Sequence, residues 1–176
     1  AALAGADIVI NTTNINIDAG DGRNSIASAV WITRILTGSG DDALVLQAGA
    51  GVVDLGGGAD SLTSAGPVGD PSPTSSAAIT DTLNQNNGIR TGDGNDSIFL
   101  SGGTALVDAS AGYFIDESHY RADDTTIIDS GAGNDNITLS GNASYGWIIV
   151  GSGNDVIDAS TAGYVSRIYA GDGNDT

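Results

Sequence analysis

Aliphatic residues recur along the chain at two fixed positions relative to a glycine-rich motif. The motif reads Gly-x-Gly-x-Asp or Gly-x-Gly-x-Asn, and it begins at Gly20, Gly38, Gly56, Gly92, Gly131, Gly151 and Gly171. Two residues after its last position stand Ile26, Leu44, Leu62, Ile98, Ile137 and Ile157. Three residues before its first glycine stand Ile17, Ile35, Val53, Ile89, Ile128, Ile148 and Ile168. Such fixed columns are typical of a solenoid, in which each repeat covers the core of the next.

The residues around these columns predict two short strands in each repeat. Apolar and polar residues alternate, as in Ala43-Leu44-Val45-Leu46, and β-branched residues predominate. The motifs begin 18, 18, 36, 39, 20 and 20 residues apart, so one period of 18–20 residues accounts for the chain if each long interval counts twice. An ordinary β-sandwich with glycine turns would not produce columns at a fixed period.

We therefore predict an all-β fold, a right-handed parallel β-roll or β-helix solenoid of about nine coils. Each coil has 18–20 residues, with one motif turn, a strand, a second corner and a second strand. Residues 1–176 are expected to form a single segment of a longer protein, with excursion loops near 66–87 and 110–126. A degenerate copy of the motif, Gly5-Ala6-Asp7, is followed two residues later by Val9, which we assign to the first aliphatic column.

The net charge of the chain limits the classes of partner that it can bind. Twenty-two acidic residues face five arginines and no lysine, which gives a formal net charge of −17 and argues against nucleic acid and anionic membranes. All the acids except Glu117 are aspartates, whose short carboxylate suits tight turns and oxygen-ligand metal sites. Cysteine is absent, and no apolar run approaches the roughly 20 residues that span a bilayer. We expect a cation as partner and no membrane insertion.

Stacked coils would place the acidic residues of the motif in one repulsive row. Calcium takes six to eight oxygens at about 2.3–2.6 Å, and glycines let backbone carbonyls turn towards it. We predict about six calcium ions between successive turns. The candidate ligands are Asp7, Asn24, Asp42, Asp60, Asp96, Asp135, Asp155 and Asp175, with Gly20, Gly22, Gly38, Gly40, Gly56, Gly58, Gly92, Gly94, Gly131, Gly133, Gly151, Gly153, Gly171 and Gly173. In the alternative reading, the glycines only permit left-handed turns and the aspartates cap strand ends.

Three turns resemble the repeats of the RTX (repeat-in-toxin) family, Gly-Gly-x-Gly-x-Asp-x-U-x. They are Gly92-Asp93-Gly94-Asn95-Asp96-Ser97-Ile98 and the turns that begin at Gly131 and Gly151. The resemblance implies that Asp96, Asp135 and Asp155 are side-chain ligands, and it suggests type I secretion with folding in extracellular calcium. The family's nine-residue spacing places calcium turns on both edges. The doubled spacing here predicts one row of ions on one edge, with weak or empty sites at Asn24 and near Gly5.

The functional expectation is a calcium-binding structural segment of a secreted or cell-surface protein, such as an S-layer subunit, a filament or an adhesin stalk. Its partners would be calcium, further copies of itself, other surface proteins or glycans. The alternatives are an adhesive or ligand-binding module, including an ice-binding one, and the C-terminal secretion domain of an extracellular enzyme. Catalysis is not expected within the chain, since His119 has no second histidine or cysteine to work with.

Overall fold

The computed structural model describes residues 15–69, 88–103 and 127–176, together with the backbone of residues 7–10. The predicted excursion at 110–126, with His119, and residues 70–87 of the other excursion lie outside the described residues. No helix long and apolar enough to cross a bilayer is found in the described part of the chain.

Alternating sequence patterns produce fourteen short strands in the part of the chain that the structure describes. They are β1 (Asp7–Ile10), β2 (Asn16–Asp18), β3 (Ser25–Ser28), β4 (Ile32–Leu36), β5 (Ala43–Leu46), β6 (Ala50–Asp54), β7 (Ser61–Ser64), β8 (Gly88–Arg90), β9 (Ser97–Leu100), β10 (Ile127–Asp129), β11 (Asn136–Leu139), β12 (Ser144–Ile149), β13 (Val156–Asp158) and β14 (Tyr164–Tyr169). The odd-numbered strands form one seven-stranded sheet, sheet A, and the even-numbered strands form another, sheet B. All strand pairs are parallel. The predicted parallel all-β architecture is confirmed at this level.

The two aliphatic columns become two ladders inside the solenoid. In sheet A, Leu44 pairs with Leu62 and Leu62 with Ile98, and in sheet B, Ile35 pairs with Val53. Most side chains of both columns are almost fully buried and belong to one core cluster. The burial weakens in the last described coil, where Ile168 is 44% exposed. The period read from the sequence therefore gives the correct strand register.

The two long intervals between motifs, of 36 and 39 residues, insert no strand between neighbouring strands of the sheets. Leu62 of β7 pairs directly with Ile98 of β9, and Ile98 pairs directly with Ile137 of β11. Sheet B is equally continuous, because β8 lies between β6 and β10. Each sheet thus has seven strands in the described part, whereas about nine coils were expected. The extra residues of each long interval lie between the two strands of one coil and not between two coils.

The motif turns form a third hydrogen-bonded column, on one edge of the two sheets. The residue between the two glycines bridges to its equivalent in the next coil from Ser39 through Gly57, Asp93, Ala132 and Ser152 to Asp172. Bonds such as Gly40 N–H to Gly57 O (2.7 Å) repeat along this column. The turns are therefore held directly above one another, as the solenoid prediction required.

Candidate metal centre

The motif glycines are required by the stacking of the turns. All fourteen have a positive φ, for example +88° at Gly92 and +152° at Gly94. A Cβ on Gly94 would lie 1.5 Å from the carbonyl oxygen of Gly58 in the preceding coil. A side chain is therefore excluded here by both conformation and space. This requirement would hold with or without a metal.

The last residue of each motif points inwards and forms a column that we call the turn row. Its members are Asn24, Asp42, Asp60, Asp96, Asp135, Asp155 and Asp175. The first six side chains are 1–2% exposed, and Asp175 is half-buried. Each carboxylate Oδ1 accepts the backbone N–H of the row residue in the preceding coil. The bonds measure 2.7 Å from Asn24 to Asp42, 2.8 Å from Asp42 to Asp60, and up to 3.0 Å from Asp155 to Asp175.

The second carboxylate oxygen has no such partner. Oδ2 of Asp42, Asp60, Asp96, Asp135 and Asp155 is buried and makes no hydrogen bond. Leaving a buried charged acceptor unpaired costs more than the roughly 1–3 kcal/mol of a neutral group. The row therefore presents five buried carboxylate oxygens that a cation could coordinate or a proton neutralise.

Burial and neighbouring charges raise the pKa values within the row. Desolvation, followed by the repulsion of Asp96, Asp42 and Asp41, raises the pKa of Asp60 to about 7 against the hydrogen bond from Asp42. Desolvation also raises the pKa of Asp96 and of Asp135. The hydroxyl of Thr91 or Ser130 and the backbone N–H of the preceding row residue oppose this rise, and the next aspartate along the row adds a smaller one. The charged forms of Asp60, Asp96 and Asp135 are therefore disfavoured unless a cation or a proton neutralises them.

Asn24 shows which atoms surround the inner end of a row side chain. Its amide Nδ2 donates to the carbonyl oxygens of Gly20 (2.9 Å), Gly22 (3.0 Å) and Thr37 (3.2 Å). Because Ser25 pairs with Ala43, the residue that corresponds to Asn24 in the next coil is Asp42. The corresponding carbonyls there are those of Gly38, Gly40 and Leu55. An ionised carboxylate facing carbonyl oxygens can donate nothing to them.

These atoms fit a hard cation. Each aspartate turn offers carboxylate and carbonyl oxygens, the donor set that calcium prefers. No three acidic, histidine or cysteine side chains converge on one point among the residues that the structure describes. Backbone carbonyls would therefore supply most of the ligands at each turn. Asp96, Asp135 and Asp155 lie in the row as the sequence predicted.

Asp7 does not fit the row, and this corrects the prediction made from the degenerate copy of the motif. Asp7 pairs with Ser25, one residue beyond Asn24, and Ile8 rather than Val9 pairs with Ile26. The register of β1 therefore differs by one residue from the predicted one. The degenerate copy has only three residues, Gly5 to Asp7, so aligning it on its aspartate misplaced β1 by one position.

Sequence reasoning missed a second ladder on the outside of the turns. The Oδ1 atoms of Asn95, Asn134 and Asn154 accept the backbone N–H of the equivalent asparagine in the following coil at 2.7–3.0 Å. This direction is opposite to that of the turn row, where the N–H comes from the preceding coil. The signal was present in the sequence, because asparagine precedes the aspartate in each of the last four motifs.

Comparison with known proteins identifies no family for the chain. No protein-family model matches it, and neither a curated protein nor a solved structure matches it. The resemblance to RTX repeats therefore rests on the turns quoted above and stays a prediction.

Proposed function

We propose that this chain is a calcium-binding structural segment of a secreted or cell-surface protein, folded and assembled by calcium. The observation that carries the proposal is the series of five successive buried carboxylate oxygens without hydrogen-bond partners. The proposed solenoid is right-handed, because connections between parallel strands of one sheet almost always have that hand.

The residues proposed to hold the ions are the row aspartates and the carbonyls of the motif glycines. At the second turn these are Asp42, Gly38 and Gly40, and the same set repeats along the edge. When bound, calcium supplies positive charge to oxygens that otherwise repel one another. About six ions would change the formal charge from −17 to about −5, since each carries two positive charges. Asp7 is no longer proposed as a ligand.

The outer face of sheet A supports a structural role in an assembly. In a chain of charge −17, the outward positions of β3, β5, β7, β9 and β11 carry no charged residue. They are exposed or half-exposed and comprise Ser25, Ala27, Ala43, Val45, Ser61, Thr63, Ser97, Phe99, Asn136 and Thr138. This face is uncharged over its five middle strands, and Asp158 of β13 borders it. Its uncharged part allows acidic copies or other surface proteins to pack without bringing like charges together.

The proposed location is extracellular, after export of an unfolded chain by type I secretion. Millimolar calcium outside the cell suffices for sites of modest affinity, whereas a calcium-poor cytosol would leave the row charged. No step of catalysis is assigned to the chain, and its proposed partners are calcium, further copies and surface glycans or proteins.

Circular dichroism of the purified chain during chelator titration tests the proposal. At pH 8 we expect the β-sheet signal to be lost in excess EDTA and restored by millimolar calcium. Magnesium at the same concentration is the control, and we expect it to restore little, because it demands stricter octahedral geometry and keeps its waters. Full β structure at pH 8 in excess chelator would contradict the proposal.

A further inference from the structure

Asn24 occupies the same place in its turn as the row aspartates, but its chemistry is different. Its side chain is 2% exposed, and its backbone N–H donates to Asp42 Oδ1 as those of the aspartates do along the row. The difference is one atom, because an NH₂ group replaces a carboxylate oxygen. That group donates to three carbonyls that converge on it from Gly20, Gly22 and Thr37.

An amide in this position does without charge what a cation is proposed to do in the other turns. Converging carbonyl oxygens need a positive partner, and the polarised N–H bonds of an amide provide one. An ionised aspartate has no hydrogen to donate, which is why its Oδ2 stays unpaired in five turns. The Asn24 turn thus carries an amide donor where the five following turns carry an unpaired carboxylate oxygen. In the next turn, Gly38 O accepts the Gly57 N–H and Leu55 O accepts the Thr37 hydroxyl, so the turns differ at the side chain rather than at these two carbonyls.

The coil that contains Asn24 also has its own apolar core. Ile26, Ile32 and Ile35 are at most 1% exposed, and they pair with Leu44, Ala50 and Val53 of the next coil. The Asn24 N–H bond to Asp42 Oδ1 then links this coil to the first aspartate of the row at 2.7 Å. Asn24 Oδ1 is itself buried without a hydrogen bond, but it carries no formal charge. A coil with an uncharged turn, a buried core and a bond to the next turn is a suitable base for stacking.

We propose that Asn24 is a built-in substitute for a calcium ion, which makes its turn metal-independent and gives the calcium-dependent coils a preformed base. This inference rests on the proposed function, because it assigns different calcium requirements to turns of one row. The identity of the row residue, Asn or Asp, then sets whether a turn needs an ion. The same rule places the Asn24 turn before the aspartate turns in calcium-driven folding.

Calcium stoichiometry tests the rule on the full chain. Equilibrium dialysis against calcium alone would compare the wild type with Asn24→Asp and with the reciprocal variant Asp60→Asn. We expect Asn24→Asp to bind about one ion more than the wild type and Asp60→Asn about one ion fewer. Asp93→Asn, an exposed aspartate in the same column of turns, is the matched control, and we expect its ion count to be unchanged.

Hydrogen exchange in chelator gives a second readout that is independent of the ion count. At a pH where the wild type has lost most protection, amides of 25–36 should remain the most protected of the chain. Asn24→Asp should lower their protection by more than about tenfold. If Asn24→Asp does not fold even in saturating calcium, Asp60→Asn decides, because it should gain protection in chelator around residue 60.

The outcomes separate the two proposals. If the wild type binds no calcium at millimolar concentration, the proposed function fails, and this inference fails with it. If the wild type binds calcium but the ion counts of Asn24→Asp and Asp60→Asn equal that of the wild type, the proposed function stands and the substitution rule is overturned.

Discussion

The aliphatic ladder of sheet A and the turn row lie two residues apart along the chain, yet stacking affects them in opposite ways. Leu44 over Leu62 removes apolar surface from water with every added coil, which stabilises the solenoid by about 25 cal/mol per Å² buried. Asp42 beside Asp60 adds a like charge in a buried site with every coil. The same interstrand spacing of about 4.8 Å therefore stabilises the sheets and destabilises the charged turns. The comparison indicates that apolar burial in the sheets stabilises the solenoid, and that this stability depends on neutralising the charge of the turns.

The largest effect is expected from a side chain inserted between stacked turns. Gly94→Ala would place a Cβ 1.5 Å from Gly58 O at a φ of +152°, and the backbone on both sides is held by neighbouring turns. We expect loss of the cooperative thermal transition even in calcium. Gly57→Ala is the control, because its Cβ would be 3.5 Å from the nearest atom, Asp93 O. Equal thermal transitions for the two variants would contradict the stacking account.

Without calcium, stability should depend strongly on pH through the turn row. The pKa of Asp60 is raised to about 7, and those of Asp96 and Asp135 are also raised, so the folded chain binds more protons than the unfolded chain above their ordinary value of 3.8. Stability is therefore greatest at acid pH and falls as the pH rises through 7. Because the effect adds over these groups, we rank it above any single core substitution.

The check is the urea midpoint in EDTA at pH 5 and at pH 8. We expect a lower midpoint at pH 8, and a smaller difference between the two values in Asp60→Asn. A midpoint that is unchanged or higher at pH 8 would show that the row is not the source of the instability.

A core substitution should destabilise the chain equally with and without calcium. Ile98 is 1% exposed between Leu62 and Ile137, so Ile98→Ala should lower the free energy of unfolding by about 2–5 kcal/mol. Phe99, 41% exposed on the outer face, is the control, and Phe99→Ala should change stability by less than about 1 kcal/mol. Denaturant unfolding at acid pH in chelator and at neutral pH in calcium would measure both. A loss of stability that differs with calcium would contradict this prediction, because it would show that the aliphatic ladder and the turn row do not contribute independently.

Substitution in the row should change sign with calcium. In chelator at pH 8, Asp96→Asn removes a buried charge and supplies an amide donor, which should stabilise the chain by on the order of 1–3 kcal/mol. In calcium the same variant loses a proposed ligand and should be less stable than the wild type. Chemical denaturation under both conditions, with Asp93→Asn as the exposed control, would measure this change of sign in the free energy of unfolding. An effect of one sign under both conditions would count against a cation at Asp96.

The smallest effect is expected in the outer asparagine ladder. Asn154 is exposed and accepts the N–H of Asn174 at 3.0 Å, so Asn154→Ala should cost about 0.5–1.5 kcal/mol, independent of calcium. Thermal melts in calcium at two concentrations would measure it. A cost that grows with calcium would mean that the outer ladder also takes part in ion binding.

The sequence predicted the parts of the fold that depend on period. Ile98 and Ile137 occupy the same motif position, and they pair in the sheet because stacking places equivalent residues side by side. The sequence left the two long intervals open, since length alone does not tell an excursion loop from an extra coil. Pairing of Leu62 with Ile98 settles that question only in three dimensions.

The candidate site was predicted by residue type but not by its atomic arrangement. The row aspartates were identified from the charge argument, whereas the role of their Oδ1 atoms as acceptors for the preceding coil depends on side-chain rotamers. The sequence marked Asn24 only as a weakened site. Its three carbonyl contacts appear once the turn closes around it, because Thr37 comes from thirteen residues further along the chain.

Anomalous diffraction from crystals grown in calcium tests the central claim most directly. The account predicts a single file of calcium peaks along the motif edge, next to Oδ2 of Asp42, Asp60, Asp96, Asp135 and Asp155, and none at the amide of Asn24. A map in which the same turns stack with no calcium peak beside these oxygens would contradict it.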